Sequence, residues 1–230
     1  MVDGVAQGGS AGVYARARRR MVEAIRRSVG DERVLAALAS VPRHLFVDEA
    51  LRGRAYEACS LPIGHGQTIS HPLTVARMSE ALELRGHERV LEVGTGSGYQ
   101  TAVLARLCAN VYTVERIAAL AARARRLLEG LGIYNAAVQV GDGSIGWRDE
   151  APFDAIIVTA GSPSPPRPLL AQLRSGGRLV VPVGRGEDQA LVRLRLEGGR
   201  IHQDVLSDCR FVPLVGRFGH AGGGRSGGRG

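Results

Sequence analysis

Residues 89–102 read Arg89-Val90-Leu91-Glu92-Val93-Gly94-Thr95-Gly96-Ser97-Gly98-Tyr99-Gln100-Thr101-Ala102. An apolar run leads straight into three alternate glycines, and a helical pattern follows. Glycine removes the Cβ, so backbone can approach a nucleotide-like ligand, and the helix beyond presents free N–H groups to it. The dinucleotide fingerprint G-x-G-x-x-G would need glycine at position 99, where Tyr99 stands. The pattern is G-x-G-x-G, with Glu92 just ahead of the first glycine. A glycine-rich loop alone is equally a tight turn, so its surroundings must decide.

Downstream, strand and helix patterns alternate. Residues 90–93 read as a strand, 101–107 as a helix, 111–114 as a strand ending at Glu115, and 117–128 as a helix. A strand at 137–140 ends in Gly141-Asp142-Gly143; another at 153–158 precedes a helix starting near Pro168 and running to Leu173. Ser175-Gly176-Gly177 then turns into a strand at 178–183. This rhythm predicts an α/β fold with a mostly parallel sheet, buried on both faces and joined by right-handed crossovers. After Gly184 the pattern alternates with period two. Ala190 to Leu196, the turn Glu197-Gly-Gly199 and a returning strand over 201–215 predict an antiparallel hairpin that closes the sheet.

Ligands of open α/β sheets bind beyond the carboxyl ends of the strands. Three features fall there at consecutive strand ends: the glycine loop, Glu115 and Asp142. Glu115 is placed to accept hydrogen bonds from a ribose diol, and Asp142 from an adenine amino group with Gly143 giving close approach. Taken singly, Glu115 could cap the next helix and Asp142 could be a turn residue. Together they make a nucleotide site the better reading.

Upstream, residues 1–13 are rich in Gly, Ala and Ser and are expected to be disordered. Residues 14–84 should hold helices and a substrate loop, 85–216 the main sheet domain, and 217–230 a flexible Gly/Arg tail. A helical stripe starts at Tyr14 and continues through Met21, Val22, Ile25 and Val29. Asp31 can cap a second helix ending before Pro42. The stretch Leu61-Pro-Ile-Gly-His-Gly-Gln-Thr-Ile-Ser-His-Pro72 reads as a loop with little regular structure. Pro72 suits the first position of a helix, which sets Ser70 and His71 at its positive end.

The 230 residues carry a net charge of +8, and every basic residue is arginine. Much of the excess lies near the two ends, and aromatics are only 4%. That is poor material for base stacking, so no specific nucleic-acid partner is expected. No apolar run approaches the roughly 20 residues of a membrane span, and no signal-peptide core is present. Cys59, Cys108 and Cys209 show no metal or redox spacing, so reduced thiols, no metal and a cytoplasmic location are expected.

The glycine run with Glu92 resembles motif I of the S-adenosylmethionine-dependent methyltransferases. The strand end Val158-Thr-Ala-Gly-Ser-Pro163 lacks the Asn/Asp-Pro-Pro-Tyr run of amino-directed DNA methyltransferases, and no Pro-Cys supplies the nucleophile used on cytosine. Six stretches together resemble the protein-L-isoaspartate (D-aspartate) O-methyltransferase family, over residues 18–216. They are 61–72, Leu91 to Gln100, Val140-Gly-Asp-Gly143, 151–158, Gly176 to Gly184 and Arg210-Phe-Val-Pro-Leu-Val-Gly216. The Gly-Gln-Thr-Ile-Ser-x-Pro loop and the Arg-Phe-Val-Pro-Leu element are the specific ones.

The resemblance implies a Rossmann-like methyltransferase fold with an N-terminal helical extension. It also implies methylation of the side-chain carboxylate of L-isoaspartyl and D-aspartyl residues in damaged proteins, using S-adenosyl-L-methionine and releasing S-adenosyl-L-homocysteine. Isoaspartyl peptides and proteins are then the partners, with the enzyme acting as a monomer. By position it makes Ser70 the catalytic residue, with His65, Ser70 and Val212 at the substrate. It sets Thr68, Ile69, Glu92, Gly94, Thr95, Gly96, Ser97, Gly98, Glu115, Arg116, Asp142 and Gly143 at the cofactor. His71, the Pro/Ser-rich run 161–166 and the Gly/Arg tail depart from the family pattern. The alternative is a methyltransferase for a small molecule or nucleic acid.

Overall fold

The structure is a computed structural model and describes residues 6–220. Helix α1 spans Ala6–Arg26 and α2 spans Glu32–Ser40. Asp31 caps α2 as expected, its carboxylate accepting from Arg33 N and Val34 N. Helix α1 starts well before Tyr14, so the expected disorder over 1–13 does not extend to 6–13; once a turn has formed, each added residue gains a hydrogen bond at little further entropy. Residues 1–5 and 221–230, where disorder and a flexible tail were also expected, lie outside the described residues.

The stretch 61–72 is more regular than its glycines suggest. Leu61–Gly64 (β1) and Gln67–Ile69 (β2) pair antiparallel, Leu61 opposite Ile69. Leu61, Ile63 and Ile69 point inward and are buried, while Gly64, His65 and Gly66 take positive φ at the turn. Alternation of buried apolar residues was the missed signal. Helix α3, Pro72–Ala81, then begins with Pro72 at its start.

The main sheet has seven strands in the order β5-β4-β3-β6-β7-β8-β9. In chain order its elements are β3 (Arg89–Val93), α4 (Tyr99–Leu104), β4 (Asn110–Glu115), α5 (Ala118–Gly130), β5 (Ala136–Val140), β6 (Phe153–Val158), α6 (Arg167–Leu170), β7 (Leu173–Arg185), β8 (Asp188–Glu197) and β9 (Arg200–Cys209). Strands β5, β4, β3, β6 and β7 are parallel, and β8 and β9 add antiparallel at one edge. Because β4 and β6 flank β3, the order reverses there, and the carboxyl end of β3 opens into a crevice.

Alternate residues of the central strands feed two cores. Val90, Ala155, Ile157 and Val180 join one that holds the buried residues of α1 to α5. Leu91, Val93, Ile156, Val158, Leu179 and Val181 join another, closed by Leu169 of α6 and Leu214. Both faces are thus covered, as near-continuous apolar strands require.

Three boundaries differ from expectation. Helix α6 is a single turn, because Leu173 already pairs with Phe153 in the sheet. The returning strand ends at Cys209 rather than 215, since Pro213 has no N–H to give a ladder. Residues 211–214 instead cross to the end of β6, where Gly161 N donates to Val212 O at 2.8 Å and Leu214 N to Gly161 O at 2.7 Å. Finally, residues 217–220 are not a loose tail: Arg217 N donates to Asp142 and Phe218 N to Ser144 Oγ.

Candidate active site

A pocket opens at the carboxyl ends of β3, β4 and β6, enclosing about 770 Å³ of non-atom space with its open mouth included. The glycine loop forms its floor. Gly94 has φ +99°, and a Cβ there would run into Thr159 Oγ1, which itself donates to Gly94 O at 2.7 Å. A Cβ on Gly143 would lie 2.5 Å from Val93 Cγ1. These positions demand glycine because Thr159 and Val93 leave no room for a Cβ, and at Gly94 the positive φ adds to the demand.

Of the expected cofactor residues, Thr68, Ile69, Gly94, Thr95, Gly96, Ser97, Glu115, Arg116 and Gly143 line this pocket. The Glu115 carboxylate serves two backbone donors, Gly96 N at 2.9 Å and Ile117 N at 2.8 Å. It therefore ties the turn that leads into α5 to the glycine loop, while remaining in the pocket wall. Thr95 Oγ1 lies 2.7 Å from Thr113 Oγ1, which braces the loop from behind.

Three expected cofactor residues do not line the pocket. Glu92 is fully buried beneath the loop and accepts from Thr101 Oγ1 at 2.5 Å. Burial pushes its pKa up to about 8, so it is protonated at neutral pH. Gly98 starts α4 with φ +87° and packs on Ala124 of α5 rather than on the pocket. Asp142 is engaged elsewhere: Oδ1 accepts from Ser144 N and Oγ, and Oδ2 from Arg217 N at 2.8 Å. Partial burial opposes its ionisation, yet these hydrogen bonds hold its pKa below the usual value. The cause is the chain after Leu214, which folds back over Asp142, as no local pattern foretold.

A second cleft adjoins the pocket and shares Thr68, Ser70, Thr159 and Val212 with it. Ser70 sits at the junction. The residue that caps α3 is His71, whose Nδ1 accepts from Leu73 N at 3.0 Å. The Ser70 hydroxyl makes no hydrogen bond among the described residues and is free for a ligand. Burial, with the charges of Arg43 and Arg77, lowers the His71 pKa and keeps the ring neutral, as the cap requires. Val212 lines both cavities. His65 is exposed at the tip of the β1–β2 turn, outside both cavities.

Sequence reading missed Thr159, Gln100 and Gln189. Thr159 locks the end of β6 to the glycine loop. Gln100 Nε2 donates to Ser79 Oγ and joins α4 to α3. Gln189 accepts from Phe211 N and donates to Phe211 O, standing in for a strand partner and holding the cleft wall. Threonine just past an apolar strand was a usable signal for the first; the other two are long-range pairings.

A family model described as protein-L-isoaspartate(D-aspartate) O-methyltransferase matches residues 16–219. The chain belongs to this family. It is similar to a protein-L-isoaspartate O-methyltransferase of Geobacter metallireducens, 56% identical over 206 residues, 88% of this chain and 95% of that one. A relative of the same name from Magnetococcus marinus is 56% identical across 89% of this chain and 90% of its own. Among solved structures, a protein-L-isoaspartate O-methyltransferase superposes with a TM-score of 0.81 at 28% identity, covering 88% of this chain and 67% of that chain. A Plasmodium falciparum structure named for the same activity, in complex with S-adenosyl-L-homocysteine, gives 0.74 at 26% identity, covering 86% and 98%. Family membership carries with it the Rossmann-like methyltransferase fold seen here.

Proposed function

We propose that this chain transfers the methyl group of S-adenosyl-L-methionine to the side-chain carboxylate of L-isoaspartyl, and also D-aspartyl, residues in damaged proteins, so starting their repair. Its membership of the family supports the reaction. The observation that carries the site assignment is Ser70, with an unengaged hydroxyl at the junction of a glycine-floored pocket and an open cleft. No feature of the site favours a small molecule or nucleic acid as acceptor.

The cradle made by Gly94, Gly96 and Gly143 fits the cofactor, since each lies in the wall where a backbone surface is needed. Glu115 would hold the ribose diol, and the N–H groups of Thr95 and Ser97 the amino-acid end. When bound, the cofactor supplies an electrophilic methyl carbon on a sulfonium.

The acceptor needs no general base. A carboxylate with a pKa near ~4 is already ionised at neutral pH. The chain's contribution is placement, which can supply roughly 7–11 kcal/mol of the barrier reduction. Ser70 Oγ donates to one carboxylate oxygen and aims the other at the pocket. The positive end of α3 adds a mild field for the anion. A neutral hydroxyl suits the task, because a firm ionic hold would resist the loss of charge on the way to the ester. The facing backbone of 211–213 accommodates an extended peptide, with few side-chain contacts to dictate flanking sequence.

Labelled methyl incorporation into an isoaspartyl peptide, with its aspartyl twin and an RNA as controls, tests the reading. Transfer to the isoaspartyl peptide alone is expected; equal transfer to the twin, or transfer to RNA, would refute it. Among the described residues no helix is long and apolar enough to cross a membrane. The three cysteines are unpaired, which supports a reducing, cytoplasmic setting. Pocket and cleft are completed by one chain, which supports a monomer.

A further inference from the structure

Arg43 stands in the short turn after α2, outside every cavity lining, yet it touches the site from behind. Its side chain is completely buried. Nε donates to Ala55 O at 2.7 Å and Nη2 to Ser70 O at 2.7 Å. The guanidinium lies over the ring of Tyr99, 4.7 Å from its centroid, and Tyr99 lines the cofactor pocket. Nη1 and the Tyr99 hydroxyl are both buried and neither has a well-formed hydrogen bond, so the phenol and its ring are the main groups that offset the burial of the guanidinium. The groups that offset the burial of Arg43 are two phenols and a thiol, Tyr99 first, then Cys59 and Tyr56, and none of these is a carboxylate; His71 also feels its charge.

A guanidinium remains charged in a protein interior, and burying it without a counter-ion is costly. If its task were only to join two carbonyls, an uncharged amide could serve at less expense. Both groups it supports, Ser70 and Tyr99, belong to the reaction site. The acceptor carboxylate is an anion that would arrive beside Ser70, on the far side of the carbonyl that Arg43 holds.

We propose that Arg43 is a positioning residue for methyl transfer: it pins the backbone of Ser70, and its uncompensated charge makes the adjoining cleft prefer a carboxylate to a neutral group. The inference rests on the functional reading above and deepens it. The substrate's negative charge completes the electrostatics of the site. Methylation removes that charge, so the ester loses the attraction and its departure is favoured. Because Arg43 acts from behind Ser70, the pull is through space and weaker than a direct ion pair, which limits its drag on the reaction.

The test uses enzyme loaded with S-adenosyl-L-homocysteine, so that binding is read without turnover. Calorimetry compares an isoaspartyl peptide with a twin whose free carboxylate is a carboxamide, on wild type, Arg43→Met and Arg43→Lys. Wild type should bind the carboxylate peptide roughly tenfold more tightly than the twin. Arg43→Met should bring that ratio near one. Arg43→Lys should keep the preference but lower kcat, because the fork that held Ser70 is gone.

A purely structural role for Arg43 would weaken both peptides equally in Arg43→Met, and that result overturns the proposal. So does a wild-type ratio near one, which needs no variant and stands even if Arg43→Met does not fold. Wild type that methylates no isoaspartyl peptide at all would strike the functional reading itself, and this proposal with it.

Discussion

At the scale of single residues, two carboxylates on neighbouring strands have opposite roles. Glu115 is in the pocket wall, whereas Glu92 lies beneath it as a neutral acid. Glu115→Gln should weaken S-adenosyl-L-homocysteine about tenfold by calorimetry, the loss of a charge-assisted hydrogen bond. Glu92→Gln should leave that affinity within about threefold, since the buried acid is already uncharged. Its mark is on stability. The folded pKa of Glu92, about 8, exceeds its ordinary 4.5. The group therefore favours folding fully below 4.5, and that contribution is lost as pH rises through 8. Wild type should lose melting temperature relative to Glu92→Gln as pH rises from about 5 to 8; parallel curves over that range would contradict a protonated Glu92. Ser70→Ala should lower kcat about a hundredfold, the scale of a misplaced reactant, with cofactor affinity unchanged. Unchanged kcat would remove Ser70 from the mechanism.

Among the elements, the segment after β9 matters most. It leaves the sheet, forms one wall of the substrate cleft and closes over Asp142. Gln189 holds its start through two hydrogen bonds to Phe211. Gln189→Ala should raise KM for the isoaspartyl peptide severalfold and leave cofactor affinity alone. It should also lower the melting temperature by about 2–4 °C per kcal/mol lost in a chain of this size. A raised Kd for the cofactor with an unchanged peptide KM would mean that the segment serves the pocket instead. The hairpin β1–β2 shows a related point. Its glycines suggest a loop, and the inward side of the alternating Leu61, Ile63 and Ile69 is evident only against the core they enter.

For the whole molecule, ligand and proton linkage offer two readouts. The pocket joins β3, β4, β6 and the 211–215 segment, so a ligand bound there stabilises the assembled fold. S-adenosyl-L-homocysteine at 100 times its Kd should add about 2.7 kcal/mol, a shift of roughly 5–10 °C. No shift at saturation would refute the pocket assignment. On the acid side, burial lowers the folded pKa of His44 and His71 below 6.5. Their contribution is present above that value and is lost as pH falls through the folded values. Wild type should therefore lose melting temperature relative to His71→Gln as pH falls below about 6.5. Parallel curves for the two from pH 7 to 5 would contradict a neutral, buried His71.

The residues alone determined what is set by local rules. Apolar strands, glycine turns and proline at a helix start follow from φ/ψ preference and periodicity, so the parallel sheet, the glycine floor, Glu115 and the α3 start were legible. The β1–β2 hairpin and the start of α3 set Ser70 at the edge of the pocket. Only the tertiary structure decided which polar groups are spoken for. Glu92 and Asp142 resemble ligands in one dimension, but Thr101, Ser144 and Arg217 claim them in three. Arg43 looks like one surface arginine among many until burial shows it unpaired. Whether a charge is solvated, paired or orphaned depends on neighbours far away in sequence, and periodicity carries no record of them.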